Sequence, residues 1–256
     1  MHFINRFGRD TRIMGRWVPL ILSCCLSIGT SLAQEDENPS NPLSKGKNTD
    51  IRSQYFDLRG GKELTDYFID GAFMASDKLK VKYELHYWDT DVTGQSEQDL
   101  ESFILKPIYF PSEGKWRDTP YRTAVGLEWI KSFDNADKGI GSDSDLLSPF
   151  VGIAFRTNEK LTLIPLVQHF AEYSGDDIDI TAARLIGLWK LDGGYWTKLD
   201  AKLPYDWDEE EASGEIELQF GRMFNPRFGL YLDGLAGISN NRYYNWGLGI
   251  GLRFIY

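Results

Sequence analysis

The sequence predicts an all-β protein, an antiparallel transmembrane β-barrel of about 12 strands. Three observations predict it. The last stretch, Trp246–Tyr256, alternates strictly: Trp246, Leu248, Ile250, Leu252, Phe254 and Tyr256 share one face, and Asn245, three glycines, Arg253 and Ile255 share the other. Comparable alternation recurs from about residue 51 onward, with no helical stripe. The connections between the alternating segments are short and long by turns, as in a barrel that crosses a membrane.

The elements follow in chain order. Arg6, Arg9, Arg12 and Arg16 precede an apolar run from Trp17 to Ile28, then Ser31-Leu32-Ala33 before Gln34. A basic lead, an apolar core and a small-x-small site describe a secretory signal peptide over residues 1–33. The run is short for a spanning helix, which needs about 20 residues. Met14, with its Met-Gly-Arg-Trp lead, is an alternative start. A lipoprotein box at Leu20–Cys24 is the rival reading, with a very short apolar core before Cys24. Both cysteines, Cys24 and Cys25, fall in this removable segment, so the mature chain has no disulfide framework and no thiol nucleophile. From 28 basic and 38 acidic residues, loss of four arginines and one aspartate leaves 24 against 37, a net charge of −13. That balance argues against nucleic acid as a partner.

Residues 34–50 are polar, with two prolines, and are expected to form a flexible periplasmic leader. The barrel is expected over residues 51–256, with strands near 52–58, 64–75, 78–89, 100–110, 121–133, 147–156, 160–172, 178–190, 195–206, 214–224, 227–238 and 243–256. An even count suits a single-chain barrel. Segment 78–89 is the clearest, with Lys78, Lys80, Lys82, Glu84, His86 and Trp88 set against Leu79, Val81, Tyr83, Leu85 and Tyr87. Ala75-Ser76-Asp77, Thr157-Asn158-Glu159, Asp192-Gly193-Gly194 and Asn225-Pro226 are tight turns, and Pro111–Pro120 is a longer exception on their side. The opposite connections, Thr90–Asp99, Asp134–Leu146, Ser174–Asp177, Trp207–Ala212 and Ser239–Arg242, are mostly longer and acidic. Aromatics gather at both strand ends: Tyr87, Trp88, Trp129, Tyr173, Trp207, Tyr243 and Tyr244 at one, and Phe110, Trp116, Tyr195, Phe224, Phe228, Phe254 and Tyr256 at the other. Two belts suit the two lipid–water interfaces.

Alternation gives one apolar face without its direction. A soluble barrel or sandwich would turn the same residues inward. The belts, the glycine-rich face of the last strand and the terminal residues favour the membrane version. Gly251, Phe254 and Tyr256 fit a Gly-x-x-aromatic-x-aromatic ending, which resembles the terminal targeting strand of bacterial outer-membrane barrels. That resemblance implies export, the barrel-assembly machinery as a partner, and the cell outer membrane, with its lipid and lipopolysaccharide, as the home. Within residues 165–256, Gln168-His169, Ser174-Gly175-Asp176-Asp177, Pro204-Tyr205-Asp206-Trp207 and the closing Trp246…Phe254 occur in order. The order resembles the bacterial outer-membrane family described as MetA-pathway of phenol degradation, whose members are described as transporters. It implies a transport role and brings no catalytic residues. Residues 51–160 carry no comparable match.

With the apolar face toward lipid, the lumen would be lined by Lys78, Lys80, Lys82, Glu84, His86, Lys106, Arg122, Glu128, Arg156, Lys198, Asp200, Lys202, Glu215, Glu217, Asp233 and Arg253. Rings of charge would bias the passage of a small, unidentified solute. Pairing of the same charges would instead fill the lumen, and twelve strands lie between barrels that are filled and barrels that are open. A hydrolase would need a nucleophile beside a base. His169 and Ser174, with Glu172 and Asp176 near, are the candidates, but residues five apart on a strand face opposite ways. No catalytic residue is expected. Asp89-x-Asp91-x-Thr93-Gly94 opens like a calcium loop but has Leu100 where a bidentate Glu is required. Asp143-Ser144-Asp145 and Asp208–Glu211 read as solvated acidic loops, so no metal is expected. Gly247-x-Gly249-x-Gly251 lies inside a strand and holds no cofactor phosphate. The expectation is a non-enzymatic channel for small solutes, against a structural or adhesive barrel that works through its acidic loops.

Overall fold

The computed structural model describes residues 38–256. The signal peptide expected over residues 1–33 and residues 34–37 of the leader lie outside the described residues. The strands are β1 (Asn48–Leu58), β2 (Glu63–Ser76), β3 (Leu79–Thr90), β4 (Glu97–Tyr109), the short β5 (Glu113–Trp116), β6 (Thr119–Ser132), β7 (Asp145–Arg156), β8 (Leu161–Ser174), β9 (Asp179–Lys190), β10 (Tyr195–Asp206), the two-residue β11 (Glu211–Ala212), β12 (Glu215–Asn225), β13 (Phe228–Gly237) and β14 (Tyr244–Ile255). Twelve of them form a closed antiparallel barrel, β5 and β11 being appendages to β6 and β10. Closure is made by β1 and β14, whose ladder runs from Asn48↔Ile255 to Asp57↔Trp246 and ends at Leu58↔Tyr244 after a bulge. No wall strand is left with an open edge, so each is hydrogen-bonded on both sides.

The apolar face points outward. Val151, Val167, Leu185, Leu218, Leu232 and Leu248 are exposed, Leu248 at 60%. Asp233, Lys80 and Gln219, on the opposite parity, are each 2% exposed. This inverts the burial pattern of a soluble barrel and is the arrangement a lipid solvent demands.

The interior is layered. Near the short turns an apolar group contains Ile108, Phe110, Phe150, Ile164, Leu166, Ile186 and Leu188, closed around Leu43. At the long-loop end Leu58, Leu64, Trp88 and Tyr244 close around Ile140. Ile140 belongs to the loop between β6 and β7, expected as an outer acidic loop. That loop turns through a short 3-10 segment, Ala136–Lys138, and folds Ile140 into the barrel mouth. Its fold is held by Lys138, whose ammonium is raised above its ordinary pKa by the hydrogen bond to Asp99. Between the two apolar layers lies the charged middle of the lumen.

Residues 38–47, expected within a flexible leader, take a different course. They run inside the barrel, and residues 48–50 already belong to β1. Two Asn-Pro turns shape this strap. Asn38 and Asn41 accept from the backbone N–H of Asn41 and Ser44, and their side chains accept from Ser40 and Leu43. Proline at the second position and an Asx side chain folding back onto the turn are the local reasons. The belts are also revised: Trp88, Tyr244 and Phe110 are buried inside the barrel, whereas Tyr87, Tyr173, Trp207, Trp116, Phe224, Phe254 and Tyr256 are exposed.

Candidate channel lumen

Strand parity sends every second side chain inward, and twelve inward rows meet in a belt of opposite charges. On β3, β4 and β6, Lys106 lies 2.7 Å from Glu128 and 3.6 Å from Glu84, and Lys82 lies 3.5 Å from Glu84. His86 Nδ1 is 2.9 Å from Asp66, and its ring stacks on Phe68. Gln168 donates to Glu128 and to Ser148. Across β9, β10 and β12, Arg184 pairs with Asp200, and Lys198 lies 2.8 Å from Glu217. Arg52 on β1 reaches over the intervening strands to Asp233 at 3.0 Å and toward Glu217 at 3.9 Å. Gln54 and Gln219 also donate to Asp233. Arg253 and Tyr231 both donate to Asp50. Charges removed from bulk water survive because each has such partners.

Most sequence-predicted residues lie on this inner surface. Lys80, Lys82, Glu84, Lys106, Glu128, Lys198, Asp200, Glu217 and Arg253 border one cavity of about 240 Å³, with the strap as part of its wall. Arg122 and Arg156 border a second cavity of about 280 Å³ at the short-turn end. Lys202 and Glu215 face each other at 3.9 Å nearer the long loops. Lys78 is a correction: it sits in the turn between β2 and β3, exposed, where parity no longer directs a side chain inward. Sequence reasoning missed Asp50, Arg52, Gln54, Asp66, Asp70 and Arg184. Asp50 was assigned to the leader. For Arg52, Gln54, Asp66, Asp70 and Arg184, parity counted from their own strands was the available signal.

The strap is held by the same chemistry. Lys80 Nζ donates to the carbonyls of Pro42 (3.3 Å) and Ser44 (2.8 Å), and Arg122 donates to the carbonyl of Leu43 (2.9 Å). Arg253 donates to Ser40 Oγ at 2.9 Å, Ser40 meets Gln219, and Asn38 donates to the Trp189 carbonyl. At the short-turn end Lys45 lies 3.0 Å from Glu113 on β5, which Arg122 also contacts. The Lys45 ammonium, joined by Arg122 against a small burial cost, holds the Glu113 carboxyl below the usual carboxylate range.

Two inward glycines lie against large rings. A Cβ at Gly251 would collide with the Tyr231 ring, and one at Gly221 on β12 with Trp196. His169 points away from the lumen, toward Thr181 Oγ1 at 3.0 Å and Asp179 at 3.7 Å, and Ser174 lies at the far end of β8. His169 is thus engaged on β9, on the face that strand parity assigns it. In the calcium-like loop, Asp91 Oδ1 accepts the backbone N–H of Glu63. Among the described residues no group of three His, Cys, Asp or Glu is placed to hold a metal ion.

A closed barrel with an apolar exterior and a charged, cavity-bearing interior defines a transmembrane β-barrel of the outer-membrane type. Its fold is shared with the COG4313 outer membrane channel from Pseudomonas putida F1, at a TM-score of 0.63 and 10% identity over 86% of this chain and 99% of that one. It is shared with the KdgM porin, at 0.57 and 6% identity over 82% and 99%. An active-site variant of outer membrane phospholipase A from Escherichia coli also has it, at 0.50 and 14% identity over 86% and 94%. Channels and an enzyme thus share this architecture, and the likeness speaks for the fold. No family model matches the chain, and no curated protein matches it in sequence.

Proposed function

We propose that the protein is an outer-membrane channel through which small solutes pass by way of a narrow, charge-lined lumen. The observation that carries this reading is the inner belt of opposite charges around a cavity of about 240 Å³. A barrel built only as a scaffold could fill that volume with apolar side chains at less desolvation cost. The transporter family that the motifs of residues 165–256 resemble points the same way, as do the channels that share the fold. The exposed apolar band is the surface for outer-membrane lipid and lipopolysaccharide. Gly251, Phe254 and Tyr256 form the signal for the assembly machinery.

Single-channel conductance of refolded mature protein in a planar bilayer is the test. Discrete, salt-dependent openings are expected, with cation preference increased by Lys82→Glu. A barrel that folds, by heat-modifiable gel migration, yet stays silent would sink the reading. The second reading is a non-conducting, surface-binding barrel. It is supported by the pairing of the belt charges and by Ile140 and Leu43 covering the two ends of the lumen.

A further inference from the structure

The arginines of the wall divide by direction. Arg52, Arg184 and Arg253 turn inward and meet Asp233, Asp200 and Asp50. Arg222 on β12 turns outward. It shares its parity with the exposed Leu218, Phe220 and Phe224, while Gly221 beside it faces the Trp196 ring inside. It stands three residues before the end of β12 at Asn225, about 10 Å from the short turn. That is the level of the aromatic belt, and rings hold the guanidinium there. It lies 4.8 Å from the ring centre of Tyr195, its register partner on β10, and 5.7 Å from that of Phe224. Tyr195 in turn stacks on Phe220 at 5.6 Å. Among the described residues, no carboxylate oxygen lies within 4 Å of the Arg222 guanidinium, and the Tyr195 hydroxyl has no hydrogen-bond partner. A cation on the lipid-facing surface is therefore fixed in place by rings and left with its charge unmatched.

We infer that Arg222 and Tyr195 form a site for the phosphate of an anionic glycerophospholipid in the leaflet on the short-turn side, whose acyl chains lie along Phe220 and Leu218. The site belongs to the outer face of the barrel and stands apart from the channel reading. A guanidinium is costly in hydrocarbon, so near the end of a strand it reaches toward the headgroups. Both rings that Arg222 covers lie on its turn side or level with it, which sets that direction. Stacking on a ring face leaves the N–H edge of the fork open, and that edge matches two phosphate oxygens. The Tyr195 hydroxyl supplies one further donor beside it. The fork is already immobilised by the rings, so little side-chain entropy is lost when the phosphate arrives. With no carboxylate beside Arg222, a choline or ethanolamine headgroup would set its own cation against the guanidinium, whereas a glycerol headgroup would not. Charge complementarity thus selects a lipid of net negative charge.

The test is native mass spectrometry of the full mature chain released from detergent micelles, titrated with palmitoyl-oleoyl phosphatidylglycerol or with the phosphatidylcholine of the same chains. Wild type should retain one phosphatidylglycerol in preference to phosphatidylcholine. Arg222→Gln should weaken the phosphatidylglycerol complex about fivefold, the effect of one arginine at a membrane surface, and leave phosphatidylcholine retention unchanged. Tyr195→Phe keeps the stacked ring and removes the hydroxyl, and should cost about threefold. Lys160→Gln makes the same change in net charge at an exposed lysine that already pairs with Asp192, and should retain the lipid as wild type does. Equal retention of the two lipids by wild type, undiminished phosphatidylglycerol binding in Arg222→Gln, or an equal loss in Lys160→Gln would overturn the site. Should Arg222→Gln fail to fold, by heat-modifiable gel migration, Tyr195→Phe decides, and an unchanged complex in that variant rejects the site. Conductance plays no part in these outcomes, so a silent barrel that retains the lipid rejects the channel reading alone.

Discussion

At the residue scale, magnitudes separate the ion pairs that hold the barrel from those that decorate it. Asp50 and Arg253 are 1% and 8% exposed at their side chains, and Tyr231 completes the carboxylate's shell. Asp50→Ala would leave a buried guanidinium unmatched, and the expected loss is about 3–5 kcal/mol in urea unfolding from micelles. The Lys160–Asp192 pair is 60% and 92% exposed, so Lys160→Ala should shift the midpoint by no more than the measurement error. Gly251 has a packing role besides its place in the terminal motif. Gly251→Leu drives a side chain into the Tyr231 ring, and overpacking of that kind costs about 1–3 kcal/mol in the same assay. The alternation in Trp246–Tyr256 made the glycine face legible. The reason for Gly251 was not, because the ring that needs it, Tyr231, comes from the neighbouring β13.

At the element scale the strap is the informative segment. Asn38-Pro39 and Asn41-Pro42 are turn signals visible in the sequence. The low hydrophobicity around them suggested a flexible leader, because composition counts local polarity and cannot see a socket supplied by four strands. The exposed latch between Lys45, Glu113 and Arg122 gives the strap a pH dependence. The folded-state pKa of Glu113 lies below its unfolded value, so its contribution is complete above about pH 4.3 and is lost as pH falls through the folded value. Proteolysis of residues 38–47 should therefore accelerate as pH falls below about 4.3, and Glu113→Gln should show the faster rate already at neutral pH. An unchanged rate in that variant would remove the latch from the account.

At the scale of the whole molecule, the direction of the apolar face decides everything else. Val167 is exposed in mid-strand, opposite Ala183 on β9. In a bilayer, Val167→Arg should cost about 2–4 kcal/mol of folding free energy, because a guanidinium would face hydrocarbon. A soluble barrel that bound this face to a partner would instead tolerate the change when isolated. Folding titrations into lipid vesicles measure the difference. The twelve strands were legible from residues 51 onward because the period of two and the turn residues are local properties. The capping of both ends was not, since Ile140 and Leu43 find their partners only after closure.

The sequence by itself determined the strand count, the alternation of turns and loops, and the two faces of each strand, because backbone geometry ties all three to near neighbours. Only the tertiary structure decided which charges meet, that Lys78 stays outside the belt, and that residues 38–47 return into the lumen. Those outcomes depend on closing β1 against β14, a pairing across nearly two hundred residues that brings inward rows from distant strands to within hydrogen-bonding distance.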